Sequence, residues 1–268
     1  MPAKTKSAPT LKPTAAKPAK AAAARMSLAE AMSALKKAGS AQTRKTYLRH
    51  GVEETMFGVS FATLKTLYKR IGVDHELALA LWDTGNFDAR NLAVKVVDPA
   101  RMSPADLDRW ATAPSARMCG GYVAAVAVEG TYARAKADAW LASKEESLRC
   151  AGWLVAGAMA MRDEATPDAW FAARLATIEK TIHSAPNDER GAMNQVVISI
   201  GCRSASLRKA ATAAAKRIGK VEVDYGDTCC ETPDAAQYID KTWAHSLSKK
   251  FESPAAHERS RESVRTRC

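Results

Sequence analysis

Cysteine is scarce in this 268-residue chain: six residues, none of them in a CxxC pair. Such spacing excludes a disulfide framework and points to a reducing, cytoplasmic setting. No apolar run approaches the roughly 20 residues that cross a bilayer, so no membrane partner is expected. The N-terminus has no apolar core of the kind a secretory signal needs. Pro2, Pro9, Pro13 and Pro18 in the same stretch argue against an amphipathic transit peptide. Long alternations of Val, Ile and Thr are also missing, which removes the strand signal and leaves an all-α class. His75 has no partner at metal-ligand spacing, and Cys229-Cys230, even with His245, Cys202 or Cys268, suits a tetrahedral zinc poorly because vicinal cysteines rarely both ligate one ion. No metal and no cofactor is expected.

Ala dominates what is present, supported by Leu, Lys and Arg, the strongest helix formers. The formal charge is +11, unevenly spread. Residues 1–26 carry Lys4, Lys6, Lys12, Lys17, Lys20 and Arg25 with no acid, and residues 241–268 carry a net +4. The body between them is close to neutral, at +1. A nearly neutral body binds a polyanion only if its cations are segregated onto one face.

Residues 1–26 are expected to be a disordered basic tail, having nothing to bury. Ser27, with Glu30 three residues later, is a capping box that predicts the first helix. From 27 to 220 the pattern is helix, short turn, helix. Turns are expected at Gly39, Gly72, Gly85, Pro99, Pro114, Gly130, Pro167, Pro186 and Ser204. Residues 221–246 read as a loop and a short helix opened by Pro233, and 247–268 as a mobile basic tail. A local scheme recurs in 27–220, where a first-turn Asp or Ser is followed two residues later by Arg. It gives Arg90, Arg117, Arg149, Arg190 and Arg208, at intervals of 27, 32, 41 and 18. Such an array suits stacked helix pairs of about 40 residues each, which make a curved solenoid with a concave face. Arginines beside free helix N-termini on that face would form phosphate sites.

Three stretches resemble the DNA alkylation repair family, the AlkD-like HEAT-repeat DNA glycosylases. They are Phe57-Gly58-Val59 leading into a helix, the run from His75 through Trp82 to Arg90, and Ser147-Leu148-Arg149 leading to Trp153. The likeness covers about residues 40–220. It implies a C-shaped HEAT-like solenoid that cradles duplex DNA. It also implies a glycosylase that removes cationic alkylated purines, with two concave Trp side chains and an Asp against the lesion. Aromatic faces attract the oxocarbenium character that develops on the sugar, and a carboxylate stabilises it.

The resemblance fails where that chemistry is carried. Ala116 stands where the first Trp is expected, Gly120 where the Asp is expected, and Gln195 where the second Trp is expected. Ser115 and Cys119 anchor the register at the first two. Loss of all three removes most transition-state stabilisation. Arg117 suits a phosphate better than a cationic base.

The expectation is therefore a monomeric, nucleoid-associated protein that binds duplex DNA, damaged or not, with weak or absent excision. Arg90, Arg117, Arg149 and Arg190 would hold phosphates, and Asn194 and Gln195 would line the groove. Two alternatives stay open: a glycosylase with a rearranged catalytic set, in which Glu129, Asp163 or Glu189 replaces the Asp, and a protein-interaction scaffold. Trp82, Trp140 and Trp153 read as core, Trp110 and Trp170 as candidates for exposure, and Asp106 and Asp108 as solvated.

Overall fold

A computed structural model describes residues 25–52, 55–113, 116–226 and 228–267, with backbone alone for 116–120. The first half contains α1 (Leu28–Ala38), α2 (Ala41–Arg49), α3 (Phe61–Ile71), α4 (His75–Asp83), α5 (Phe87–Val96), α6 (Pro104–Ala111) and α7 (Ala116–Glu129). The second contains α8 (Ala133–Leu141), α9 (Glu146–Arg162), α10 (Asp168–Thr181), α11 (Asn187–Gly201), α12 (Ala205–Ile218), α13 (Ala235–Ser248) and α14 (Pro254–Arg259). No strand occurs among the described residues.

Local chemistry sets the boundaries. The Ser27 capping box forms as expected, with Ser27 N–H on Glu30 at 2.8 Å. Ser40, Ser60, Asp74, Asn86, Ser103, Ser204 and Asp234 cap later helices through their side chains. Asp88 does more than start α5. Fully buried, its carboxylate accepts the N–H groups of Phe57, Gly58 and Val59 at 2.6, 3.0 and 2.8 Å. Gly58 in that loop has φ +81, and a Cβ there would lie 2.5 Å from the Ser40 carbonyl, so only glycine fits.

From α4 onward the helices pair, α4 with α5, α6 with α7, α8 with α9 and α10 with α11 across short turns, and α12 with α13 across the longer loop 219–234. Short turns make the partners antiparallel. The second members pack in succession, α5 on α7, α7 on α9, α9 on α11, α11 on α13, and form the inner wall of a solenoid. The first members are tied along the outer wall by charge. Arg109 pairs with Asp83, Lys136 with Asp108, Arg174 with Asp138 and Arg217 with Glu179, each joining one repeat to the next. Indole N–H groups reinforce two rungs, Trp140 on Asp108 at 2.7 Å and Trp170 on Asp138 at 3.0 Å.

Two sequence expectations change here. Trp110 and Trp170 are buried, the former stacked on Trp82 with centroids 4.2 Å apart. Asp106 and Asp108 are not merely solvated, because Arg109, Lys136 and Trp140 engage them. Burial pushes the Asp138 carboxyl up, but hydrogen bonds from Arg134 and Trp170 and the charges of Arg134 and Arg174 outweigh it and hold it low. Asp168 is held low likewise by Ser204 and Arg203 against its burial. A depressed carboxyl contributes stability above its unfolded pKa, and that stability is lost as pH falls through the folded value. The thermal midpoint should thus hold down to about pH 4 and drop steeply below it; a midpoint flat to about pH 2.5 would contradict the ladder's role.

The largest correction concerns the C-terminus. In place of the mobile tail expected over 247–268, residues 249–267 fold back along the inner wall as a strap with one anchor per repeat. Ala255 N–H meets the Cys202 carbonyl after α11 at 3.1 Å. Arg162 at the end of α9 donates to the carbonyls of Arg261 and Glu262, both at 3.3 Å. Arg265 donates to Glu129 at the end of α7 at 2.7 Å, and to the Lys95 carbonyl of α5 at 2.7 Å. Lys95, fully buried, returns its ammonium to the carbonyls of Arg265 and Arg267 at 2.9 and 3.2 Å. A count of charges does not reveal this, because Arg265 is satisfied by carbonyls at the end of α5 and by Glu129, and Arg259 and Arg267 by Glu164 and Glu258.

Candidate nucleic-acid interface

The recurring arginines are a real repeat feature with an internal task. Arg90, Arg149 and Arg190 are each the fourth residue of α5, α9 and α11. Each reaches back to the end of the preceding element. Arg90 donates to the Trp82 carbonyl at 3.4 Å, Arg149 to the Lys144 carbonyl at 2.8 Å, and Arg190 to the Ala185 carbonyl at 2.9 Å. Arg90 also lies over the Trp82 ring. Arg149 pairs with buried Glu189 at 3.0 Å, and Arg190 donates to the Glu222 carbonyl at 2.9 Å. These guanidinium groups clamp helix pairs together, although the buried Nε of Arg190 has no hydrogen-bond partner among the described residues. Asn194 is buried and donates to the Pro233 carbonyl at 3.0 Å, so it does not line the groove.

Gln195 does line it, as the one exposed position between Glu189 and Cys202. Ala116, Arg117 and Gly120 fall in the first turns of α7, and their side chains lie outside the described residues.

The groove beside Gln195 has a volume of about 620 Å³ between the end of α6, Val123 of α7 and the N-terminal halves of α9 and α11. Its walls are small residues such as Ala151, Gly191 and Ala192, with Tyr225 from the loop before α13 at one edge. Among the described residues its charged lining side chains are both acidic, Glu146 and Asp188. The Cys150 thiol reports the environment: burial, then the negative charges of Glu189, Asp188 and Glu146, push it up to about 12. A second cleft of about 230 Å³ continues from Gln195 toward the strap. Its charged side chains, Arg162, Arg267 and Glu258, pair with one another, Arg267 to Glu258 at 3.1 Å and Arg162 to Glu258 at 3.7 Å. The carboxylates considered as replacements are committed elsewhere: Glu129 to Arg265, Asp163 to Thr166, and Glu189 to Arg149 and Trp153.

Unneutralised positive charge gathers at the other end of the molecule. Lys36, Lys37, Arg44, Lys45, Arg49, Lys65, Lys69 and Arg70 all lie on α1–α3. None is within ion-pair distance of a described carboxylate, whereas most arginines from 101 onward are paired. The one described acid on these helices, Glu30, is occupied by its capping box. Sequence reasoning missed this cluster, although its signal was present. Residues 1–71 hold fourteen Lys and Arg against three Glu, a net +11, and residues 72–268 balance to zero.

Stacked helix pairs, an inner wall with a groove and a cationic end define a helical-repeat protein of the HEAT-like kind. The profile of the DNA alkylation repair enzyme family matches residues 29–223. The chain belongs to that family. Two uncharacterised relatives, from Listeria innocua and Listeria monocytogenes, are 28% and 27% identical over 206 residues, which is 74% of this chain and 89% of each relative. A solved structure from a new family of proteins related to the HEAT-like repeat DNA glycosylases, with affinity for branched DNA structures, is 30% identical. It superposes with a TM-score of 0.75 over 84% of this chain and 95% of that one. No described helix is long and apolar enough to cross a membrane.

Proposed function

We propose that this protein binds DNA through phosphate contacts and has weak or no base-excision activity. The observation that carries the reading is the segregation of unpaired cations onto α1–α3 while residues 72–268 neutralise themselves. A polyanion is drawn to such a platform and releases its counterions there, giving steep salt dependence. The inner wall is poorly suited to phosphates, with acids in its groove and a strap along its far half. Weak excision follows from Gln195, which offers neither an aromatic face nor a charge where the family resemblance expects Trp. The affinity of the structural neighbour for branched DNA supports a branched substrate for this chain too.

A second reading rests on one observation. Glu146 and Asp188 face a groove large enough for a purine, so a glycosylase with a rearranged carboxylate is chemically coherent. Both are tested together, by fluorescence anisotropy on a duplex and a four-way junction across about 50–200 mM salt and by release of free base from alkylated DNA. The proposal expects binding that weakens steeply with salt and base release at background. Base release abolished by Glu146→Gln or Asp188→Asn would establish the second reading instead. Absence of DNA binding would favour a protein scaffold.

A further inference from the structure

Helix α2 presents a large apolar side chain among cations. At about 100° per residue, Arg44, Lys45, Leu48 and Arg49 share one helix face. Arg44, Lys45 and Arg49 are exposed, and Leu48 is 55% exposed. The opposite face is fixed. Tyr47 is buried, donates its hydroxyl to the Val59 carbonyl at 2.7 Å, and meets Phe87 edge-on at 5.0 Å. At the start of the helix Ser40 N–H bonds the Gly58 carbonyl at 2.9 Å, and the same loop is held by Asp88. The outer face is thus carried on a rigid mount, and nothing in the core requires an apolar residue at position 48.

We infer that Leu48 is a wedge that inserts between bases where stacking is already broken, while Arg44, Lys45 and Arg49 hold the flanking phosphates. This rests on the DNA-binding reading above and adds to it the feature that distinguishes a branch from a continuous duplex. Apolar wedges unstack a base step at a cost, and that cost is least where the step is already open. Charge selects the occupant, since no described acid on α2 or α3 opposes a polyanion and no described acid would attract a basic partner.

The test compares the full chain with Leu48→Ala on a four-way junction carrying 2-aminopurine at the branch, and on a continuous duplex of the same length. Leu48 is largely solvated, so the variant should melt with the unaltered chain. Junction affinity should fall about tenfold, the value of burying one Leu side chain. The rise in 2-aminopurine fluorescence should vanish, and duplex affinity should stay within about twofold of the original, as rim contacts to phosphate are kept. An unchanged junction affinity, or an equal loss on both DNAs, overturns the wedge and leaves DNA binding standing. A dimer of the unaltered chain that Leu48→Ala dissolves overturns it in favour of self-association. If the unaltered chain binds neither DNA, the reading beneath it fails as well.

Discussion

Replacing Arg44, Lys45, Lys65 and Lys69 together by Ala is expected to weaken duplex binding on the order of a hundredfold or more at near-physiological salt. The slope of log affinity against log salt should become shallower by about three to four, close to one for each phosphate that is no longer neutralised. These four side chains have no ion-pair partner among the described residues, so their removal leaves no carboxylate stranded. The fold should be unaffected for the same reason. Replacing Lys209 and Lys216, exposed cations on α12, changes net charge in the same direction but at the wrong end. It should alter affinity by no more than about twofold, the size of a long-range screened effect. Equal losses per charge removed from the two sets would mean that binding follows total charge, with no platform involved.

Replacing Arg265 by Ala should destabilise the protein by about 3 kcal/mol, the scale for breaking a buried ion pair while one partner stays behind. Its guanidinium satisfies Glu129 and the carbonyls of Val94 and Lys95 while only 9% of its side chain is exposed. The midpoint should fall by roughly 10 °C for a chain of this size. Adding Glu129→Gln to the variant should restore part of the loss, because the stranded carboxylate is then gone. A mobile tail would give a change within about 0.5 kcal/mol, as a surface substitution does, and no rescue. The strap also shapes function. It ties together α5, α7, α9 and α11, which fixes a curvature that stacked repeats otherwise set only between neighbours.

Much of the fold was legible because it is written locally. Ser27 with Glu30, Gly39 before Ser40, and Gly72 before Asp74 mark helix ends by chemistry that acts within four residues. The repeated Arg of α5, α9 and α11 was visible too, but its task was not. The same guanidinium serves a phosphate or a carbonyl, and spacing does not say which lies within about 3 Å. Arg149 and Arg190 face Lys144, Ala185 and Glu222 of their own chain. Long-range pairing was the other blind spot. Lys95 and Arg265 are 170 residues apart, and nothing local in either segment announces the other. The groove carboxylates Glu146 and Asp188 were passed over for a related reason. They read as first-turn acids that complement a helix dipole, and only the packing of α9 beside α11 brings them to one cleft.

Hydrogen–deuterium exchange of the full chain with and without DNA locates the binding surface most directly. DNA held by the cationic end should slow exchange across residues 36–70, with the groove residues 146–154 and 188–195 little changed. Protection concentrated in those groove segments, with α2 and α3 exchanging as before, would place the DNA on the inner wall and contradict the account.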